Sequence, residues 1–212
     1  TPHGGGGPGS GPVAVTKELE PFLPRPRIVQ LEGDRLDWDW DRPQSIGQVH
    51  GNYGNFGMHV RALTFIKALG QNGLSRATEI AILNANYIRR KLEDIYLLPF
   101  KDTSMHEVVF SSDWQGKNGI KAMDIGKRLL DFDIHAPTIN FPLVIHEALM
   151  IEPTETESLE TLDRFIEVMR QIDREAREEP ETLKNAPHST PTSRFNEAAA
   201  ARALDIVCGI KG

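Results

Sequence analysis

Apolar residues recur every three or four positions in several stretches of the chain, which is the spacing of an amphipathic helix. An alanine-rich stretch near the end of the chain also has the composition of a helix. Gly70 and the Asn72-Gly73 pair are expected to separate the first two helices, because these residues favour helix ends and turns. The predicted helices are 57–70, 75–92, 122–132, one that begins at Thr156 or Ser158, and 197–207.

Short runs of β-branched, aromatic and other apolar residues predict strands. The polar segment 34–45 is expected to be a surface loop or hairpin. Beyond Pro99 strands and helices alternate, so the sequence predicts an α/β fold in which 1–98 is the end of a larger domain and 99–212 is a compact α/β domain. The strand-like runs are 13–15, 28–31, 107–111, 138–145 with an interruption at Pro142, and 148–151.

The composition is that of an ordinary globular protein. The chain has 212 residues, 39% of them hydrophobic, and a net charge of −6. Its positive charges form no patch with interleaved aromatic residues, which argues against nucleic-acid binding. Cys208 is the one cysteine and cannot form an internal disulfide, which fits a reducing compartment. Because the sequence also has no apolar run of about 18 residues, it predicts a cytoplasmic protein that binds neither nucleic acid nor a membrane.

The first residues form a glycine-rich segment. Residues 1–12 contain six glycines and three prolines, which exclude a helix or a regular strand. Backbone N–H groups without neighbouring side chains can wrap a phosphate or let a planar ring approach closely. The segment lacks the Gly-Lys-Ser/Thr end and the preceding strand of the phosphate-binding loop of nucleotide enzymes. A structural turn and a binding loop that includes His3 therefore both stay open at this point.

No other group of residues assigns a reaction by its spacing. The seven histidines form no His-x-x-x-His or His-Glu-x-x-His pair, so no metal site is predicted. His106 and His146 are expected to be hydrogen-bonded, partly buried imidazoles. The acidic stretches 34–41 and 152–160 are expected to be solvated loops and helix caps.

Four strings are spread over most of the chain: Thr1-Pro2-His3-Gly4-Gly5-Gly6-Gly7-Pro8-Gly9, Leu83-Asn84-Ala85-Asn86-Tyr87, His135-Ala136-Pro137-Thr138, and Leu149-Met150-Ile151-Glu152-Pro153-Thr154-Glu155-Thr156-Glu157. With them the chain resembles one family, the pyridoxal-phosphate-dependent glycine decarboxylases, which are the P-proteins of the glycine cleavage system. The form of residues 53–57 is similar to that of the second subunit of the two-subunit bacterial type. Residues after about Arg194 depart from the usual Arg-rich ending of the family.

The resemblance implies an aspartate-aminotransferase-like enzyme of fold type I, with 1–98 as the end of the large cofactor domain and 99–212 as the small domain. It implies that glycine condenses with pyridoxal 5'-phosphate and loses CO2, and that the aminomethyl group passes to the lipoyl arm of H-protein. This is an oxidoreductase reaction on a CH–NH2 group with a disulfide acceptor. A first P-protein subunit is the expected partner, in a heterotetramer of two plus two.

The resemblance also assigns residues. The Schiff-base lysine of the family stands in a His-Lys-Thr-Phe element that would precede Thr1, and Lys17 does not match it, so the implied chain is a C-terminal fragment without a catalytic residue and inactive alone. Two other interpretations stay open: a non-catalytic module that pairs with a partner chain, and another fold type I enzyme such as a cysteine desulfurase or an aminotransferase. The implied cofactor contacts are His3, Gly4, Gly5, Gly6, Gly7, Gly9, Asn55 and Gly57, and the implied substrate contacts are Thr138, Glu152 and Thr154.

Overall fold

The computed structural model describes residues 9, 11–49, 51 and 54–204 of the chain. It divides into two compact units, Thr1–Leu74 and Ser75–Gly212, and its helices and strands give a mixed α/β protein. The boundary between the units lies before the predicted helix 75–92, whereas the predicted domain boundary lies after it. The assignment of 1–98 to a large cofactor domain and of 99–212 to a small domain stays a prediction.

The first unit contains a β-hairpin. Strand β1 (Arg27–Gln30) pairs antiparallel with strand β2 (Leu36–Asp39), and Ile28 lies opposite Trp38. The predicted strand at 28–31 is thus confirmed, one position earlier. Residues 34–45, which were expected to form a surface loop or hairpin, supply only the second strand of a hairpin that begins with β1. Residues 13–15 form no strand, contrary to the prediction, and Val13 is 75% exposed. Among the described residues no strand pairs with these three apolar residues, so they have no ladder to join there.

Ion pairs hold the hairpin to the short 3-10 helix Glu20–Phe22 that precedes it. The Glu20 carboxylate accepts hydrogen bonds from Arg27 and, at 2.9 Å, from Arg42. Arg42 also donates to Asp39 at 3.0 Å. The hydrogen bond from Arg42 is the main reason why the pKa of Glu20 lies below its usual value. Polar contacts, rather than a buried core, therefore organise this part of the chain.

Helix α1 (Phe56–Leu92) runs from the first unit into the second and is interrupted at Gly70, whose φ of 63° and ψ of −178° are not helical. The predicted helix end at Gly70 is confirmed, because glycine takes such backbone angles without the steric cost that a side chain brings. The predicted turn at Asn72-Gly73 is wrong, since both residues are helical. One interruption at Gly70 is enough to separate the two helical segments.

The second unit is built on a three-stranded antiparallel sheet of order β3-β5-β4. Helix α3 (Leu159–Glu178) begins after Ser158, one of the two residues at which its start was predicted, and the Ser158 side chain accepts a hydrogen bond from the Thr161 amide. Helix α5 ends at Arg202, so its predicted extension to 207 is wrong for residues 203 and 204, and 205–212 lie outside the described residues. The elements are β3 (Val108–Ser111), α2 (Ala122–Leu130), β4 (Thr138–Ile139), β5 (Ala148–Ile151), α3 (Leu159–Glu178), α4 (Pro180–Asn185) and α5 (Glu197–Arg202).

The core of the second unit lies between one face of this sheet and the helices. Phe110 and Leu149 are paired across β3 and β5 and are fully buried. Tyr96 is also fully buried, and its hydroxyl donates to the carbonyl of Met169 at 3.0 Å, so its polar atom keeps a partner. Burial raises the pKa of the Tyr96 hydroxyl. Other members of this core are Ile88, Leu92, Ile120, Ile125, Leu129, Ile172 and Leu183.

Candidate functional site

The residues implied as cofactor contacts lie in the first unit or outside the described residues. Five of them lie outside the described residues: His3, Gly4, Gly5, Gly6 and Gly7. Gly9, Asn55 and Gly57 are described. The Asn55 side-chain amide donates to the carbonyl of Gly9 at 2.6 Å across 46 positions of sequence. The structure thus joins the end of the glycine-rich segment to the turn before helix α1, while Gly57 is an exposed residue at the start of that helix.

An open cleft of about 330 Å³ lies beside this contact in the first unit. At Gly9, Gly11 and Gly54 a Cβ atom would meet nothing within 4 Å, so the backbone borders open space there. Gly54 also has a φ of 94°, a backbone angle that side chains disfavour. The lining residues are Gly9, Gly11, Pro24, Arg25, Pro26, Trp38, Gln48, Val49, Gly54 and Asn55.

The cleft lining provides the kinds of group that bind a planar anion. Uncovered glycine backbone at Gly9 and Gly11 allows close approach of a ligand. Arg25 supplies a positive charge, and Trp38 supplies an aromatic ring. The volume is at the lower end of the roughly 300–1,000 Å³ typical of small-molecule sites. The described part of the cleft can therefore hold one small ligand.

The three implied substrate contacts belong to strands β4 and β5 of the second unit and to the segment that follows β5. Thr138 pairs with Met150 in the register of β4 and β5. Side chains alternate across a strand, so Glu152, two positions beyond Met150, lies on the same face as Thr138. Thr154 follows, and its hydroxyl lies 2.7 Å from that of Thr156. Glu152, Thr154 and Thr138 are all exposed.

Two asparagines of helix α1 hold the chain around the end of the sheet at which β5 ends. The Asn84 side-chain amide donates to the carbonyl of Thr154 at 2.9 Å. Asn86 makes two contacts with Ser104: its amide donates to the Ser104 carbonyl at 2.7 Å, and its Oδ1 accepts from the Ser104 amide at 3.0 Å. The segments that lead into β3 and out of β5 are therefore both fixed to one helix.

His106 and Glu107 complete this group, and sequence reasoning did not include them among the site residues. The Nε2 atom of His106 lies 3.4 Å from Oε1 of Glu107. One ligand atom from each of His106, Glu107 and Glu152 lies within 4.8 Å of the others, so these three residues are able to hold a metal ion. The signal that would have found them is the pairing of β3 with β5, because that pairing brings the residue before β3 next to the residue after β5.

A scan against protein families matches residues 77–190 to the family described as "Glycine dehydrogenase, C-terminal domain", which is more than half of the chain. The chain belongs to the glycine dehydrogenase family. The matched range contains the whole end of the sheet described above, from Asn84 to Thr154. The cleft at Gly9 and Asn55 lies outside that range.

Curated relatives named "Probable glycine dehydrogenase (decarboxylating) subunit 2" are similar to nearly the whole chain. The protein from Bacillus licheniformis is 57% identical over 201 residues, which are 95% of this chain and 41% of that protein. Those from Lysinibacillus sphaericus and Listeria innocua are 56% and 55% identical over the same shares. The chain thus spans about two fifths of the length of these members of the glycine dehydrogenase family.

The two histidines that were expected to be partly buried are exposed in this member of the glycine dehydrogenase family. The His106 side chain is 56% exposed and the His146 side chain 78% exposed. His146 is hydrogen-bonded, as expected, because its Nδ1 lies 2.5 Å from Oδ1 of Asp113. That hydrogen bond raises the pKa of the His146 imidazole. The expected burial failed because each histidine flanks a strand rather than lying within it.

Among the described residues, no helix combines the length and the apolar character that crossing a bilayer requires.

Proposed function

We propose that the chain is part of a pyridoxal-phosphate-dependent glycine decarboxylase of fold type I, in which the first unit belongs to the cofactor domain. Family membership and the names of the relatives support this assignment. The observation that carries it in the structure is the hydrogen bond from Asn55 to Gly9. It joins two segments that the family resemblance implies as cofactor contacts, at the wall of a cleft.

The residues of this cleft fit pyridoxal phosphate in kind. When bound, the cofactor accepts the electron pair that is left on glycine when CO2 departs. Asn55 would fix the carbonyl of Gly9 and so keep the backbone of the glycine-rich segment open towards the ligand. Arg25 would offset the negative charge of the phosphate, and Trp38 would cover part of the ring. The chain's own contribution is thus to bind and orient the group.

The second unit would supply contacts to glycine. Thr138 and Thr154 present hydroxyl groups, and Glu152 presents a carboxylate, at one end of the sheet. A carboxylate and hydroxyls accept hydrogen bonds from an ammonium group. Before substrate arrives, Asn84 holds the backbone at Thr154, and Asn86 holds the backbone at Ser104.

The proposed activity requires residues and partner proteins beyond these 212 residues. No lysine occurs among residues 1–16, and Lys17 follows the glycine-rich segment, so the 212 residues by themselves would not decarboxylate glycine. The name "subunit 2" of the relatives supports a first P-protein subunit as partner, and the proposed aminomethyl acceptor is the lipoyl arm of H-protein. A cytoplasmic location stays a prediction.

A partner subunit is a further part of the proposal. None of the described residues of the first unit is buried, and many of its large apolar side chains are exposed. In a chain that spans about two fifths of its relatives' length, these side chains can pack against other parts of the same protein or against a partner, so association has to be measured. Size-exclusion chromatography of the gene product that carries these residues, with and without the first subunit, tests this. A defined complex is expected. Failure to form one would contradict the partner subunit, both in the proposed enzyme and in the alternative of a non-catalytic module.

The cofactor assignment is tested by Asn55→Ala in the gene product that carries these residues, mixed with the first subunit. Loss of one hydrogen bond of about 1 kcal/mol is expected to weaken pyridoxal-phosphate binding by about fivefold. Asn185→Ala is the matched control, since Asn185 also donates one side-chain hydrogen bond to a backbone carbonyl, that of Glu181 at 2.9 Å. Absorbance titration with the cofactor measures both. Equal binding by Asn55→Ala and the control would refute the assignment.

A further inference from the structure

His106, Glu107 and Glu152 bring one imidazole nitrogen and two carboxylates to one exposed place. We propose that they form a binding site for a divalent cation of the Zn²⁺ or Mn²⁺ class. Imidazole and carboxylate ligands suit these ions. This cation site does not depend on the proposed reaction. It uses Glu152, which the proposed function places near substrate, and the experiment below measures the cation alone.

The spacing of the three side chains suits a shared ion. A tetrahedral ion with ligands at about 2.0–2.1 Å separates two of them by about 3.3 Å. The Nε2 atom of His106 and Oε1 of Glu107 are 3.4 Å apart. All three ligand atoms lie within 4.8 Å of one another, which exceeds the spacing around a bound ion by at most about 1.5 Å.

Strand pairing forces the two carboxylates together. Val108 lies opposite Ile151 in the antiparallel register, and Glu107 and Glu152 are the next residues outward on the two strands. Like charges directly opposite one another destabilise a sheet. In the described part of the chain, neither carboxylate forms an ion pair with a lysine or arginine. Glu107 lies beside the imidazole of His106. A bound cation would remove this repulsion.

The backbone on both sides of the three residues is held before any ion binds. Asn86 fixes Ser104, two positions before His106, through two hydrogen bonds. Asn84 fixes Thr154, two positions after Glu152. Ligands on a fixed backbone lose little freedom on binding, which favours affinity. These asparagine contacts are what distinguishes the cluster from exposed acidic residues that lie close together by chance.

Three protein ligands, of which His106 and Glu152 are exposed and Glu107 is half-buried, leave coordination positions open. A four-coordinate ion would keep at least one water molecule or other small ligand, as in zinc sites with three protein ligands. The Nδ1 atom of His106 would carry the proton when Nε2 binds the ion. The site would therefore be accessible to solvent and to other ligands of the cation.

The test uses the gene product that carries these residues, without a histidine tag and treated with a chelator. Calorimetric titration with Zn²⁺ and the visible spectrum of added Co²⁺ are measured for the unchanged protein, Glu152→Gln and His106→Gln. One saturable site is expected, weakened about tenfold or more by each substitution. His146→Gln is the matched control, since His146 is an exposed histidine beside one carboxylate, Asp113, and its loss should change neither readout.

Two results would overturn the proposal. One is the absence of saturable Zn²⁺ binding in the unchanged protein. The other is binding that survives both Glu152→Gln and His106→Gln, or that falls equally in His146→Gln. Circular dichroism spectra show whether the variants remain folded, which is expected because the altered side chains are exposed. Because no readout uses glycine or pyridoxal phosphate, failure here leaves the proposed function standing.

Discussion

Asp131 ties the end of helix α2 to the segment after helix α4, and its replacement by asparagine tests how the second unit is held together. Its side chain is 4% exposed. Oδ1 accepts hydrogen bonds from the His188 and Ser189 amides at 2.5 and 2.7 Å and from the Ser189 hydroxyl at 3.0 Å. Oδ2 accepts from Arg128 at 2.9 Å, and Arg128 in turn makes two hydrogen bonds to Glu175 on helix α3.

Asp131→Asn keeps the shape of the side chain but removes its charge. If the amide oxygen takes the place of Oδ1, the amide NH2 group faces the Arg128 guanidinium, and two donors meet. The variant thus loses one hydrogen bond between charged groups, worth about 1.5–3 kcal/mol. We expect the free energy of unfolding at pH 7 to fall by about 2–3 kcal/mol.

The loss of stability in Asp131→Asn should depend on pH. Burial alone raises the pKa of the Asp131 carboxyl, but hydrogen bonds from Ser189, Arg128 and His188 outweigh burial and hold the pKa below its usual value. A carboxyl whose pKa is lowered on folding stabilises the protein above its unfolded pKa of about 4 and loses that contribution as the pH falls through its folded pKa. The difference between the two proteins should therefore shrink below about pH 4.

Urea unfolding followed by circular dichroism measures both effects, at pH 7 and in steps down to the acid range. Asp102→Asn is the control, because Asp102 is exposed and its replacement should change stability by less than about 0.5 kcal/mol. An Asp131→Asn protein as stable as the control at pH 7 would refute this account of the network. So would a difference that stays constant through the acid range.

Three further substitutions test other contacts by the same urea assay. Ser158→Ala removes the N-cap of helix α3 and should cost about 1 kcal/mol, and no change would mean that this cap is not formed in solution. Gly70→Ala should cost about 1–3 kcal/mol, because a side chain is strained at a φ of 63° and ψ of −178°; a stabilised variant would show a continuous helix instead. Tyr96→Phe should cost about 1 kcal/mol by leaving the Met169 carbonyl without this donor, and a neutral result would contradict the hydrogen bond.

Local patterns in the sequence were enough to predict most of the helices and strands. The apolar stripe of helix α3 was predicted, and its start was narrowed to Thr156 or Ser158, because the stripe and the start lie next to each other in sequence. The strand at 108–111 was recognised because its β-branched and aromatic residues are contiguous. Residues 13–15 are also a short apolar run with β-branched residues, but no strand of the described part of the chain pairs with them, and no local pattern shows that difference.

The candidate site was less accessible from the sequence because it depends on pairing between distant segments. His106 and Glu152 become neighbours only through the register of β3 with β5, and strand order cannot be read from the apolar pattern. The contact of Asn55 with Gly9 spans 46 positions and was not predicted, since the family resemblance implied the two residues only as separate cofactor contacts. The roles assigned to Thr138 and Thr154 likewise rest on that resemblance and stay predictions.

The most direct test of the proposed decarboxylase is carbon exchange between labelled bicarbonate and the carboxyl group of glycine. The assay combines the gene product that carries these residues with the first subunit, H-protein and pyridoxal phosphate. We expect exchange that requires the cofactor and both subunits, that is specific for glycine over alanine, and that the 212 residues alone do not support. Exchange by the 212 residues alone, or none with every component present, would contradict the account.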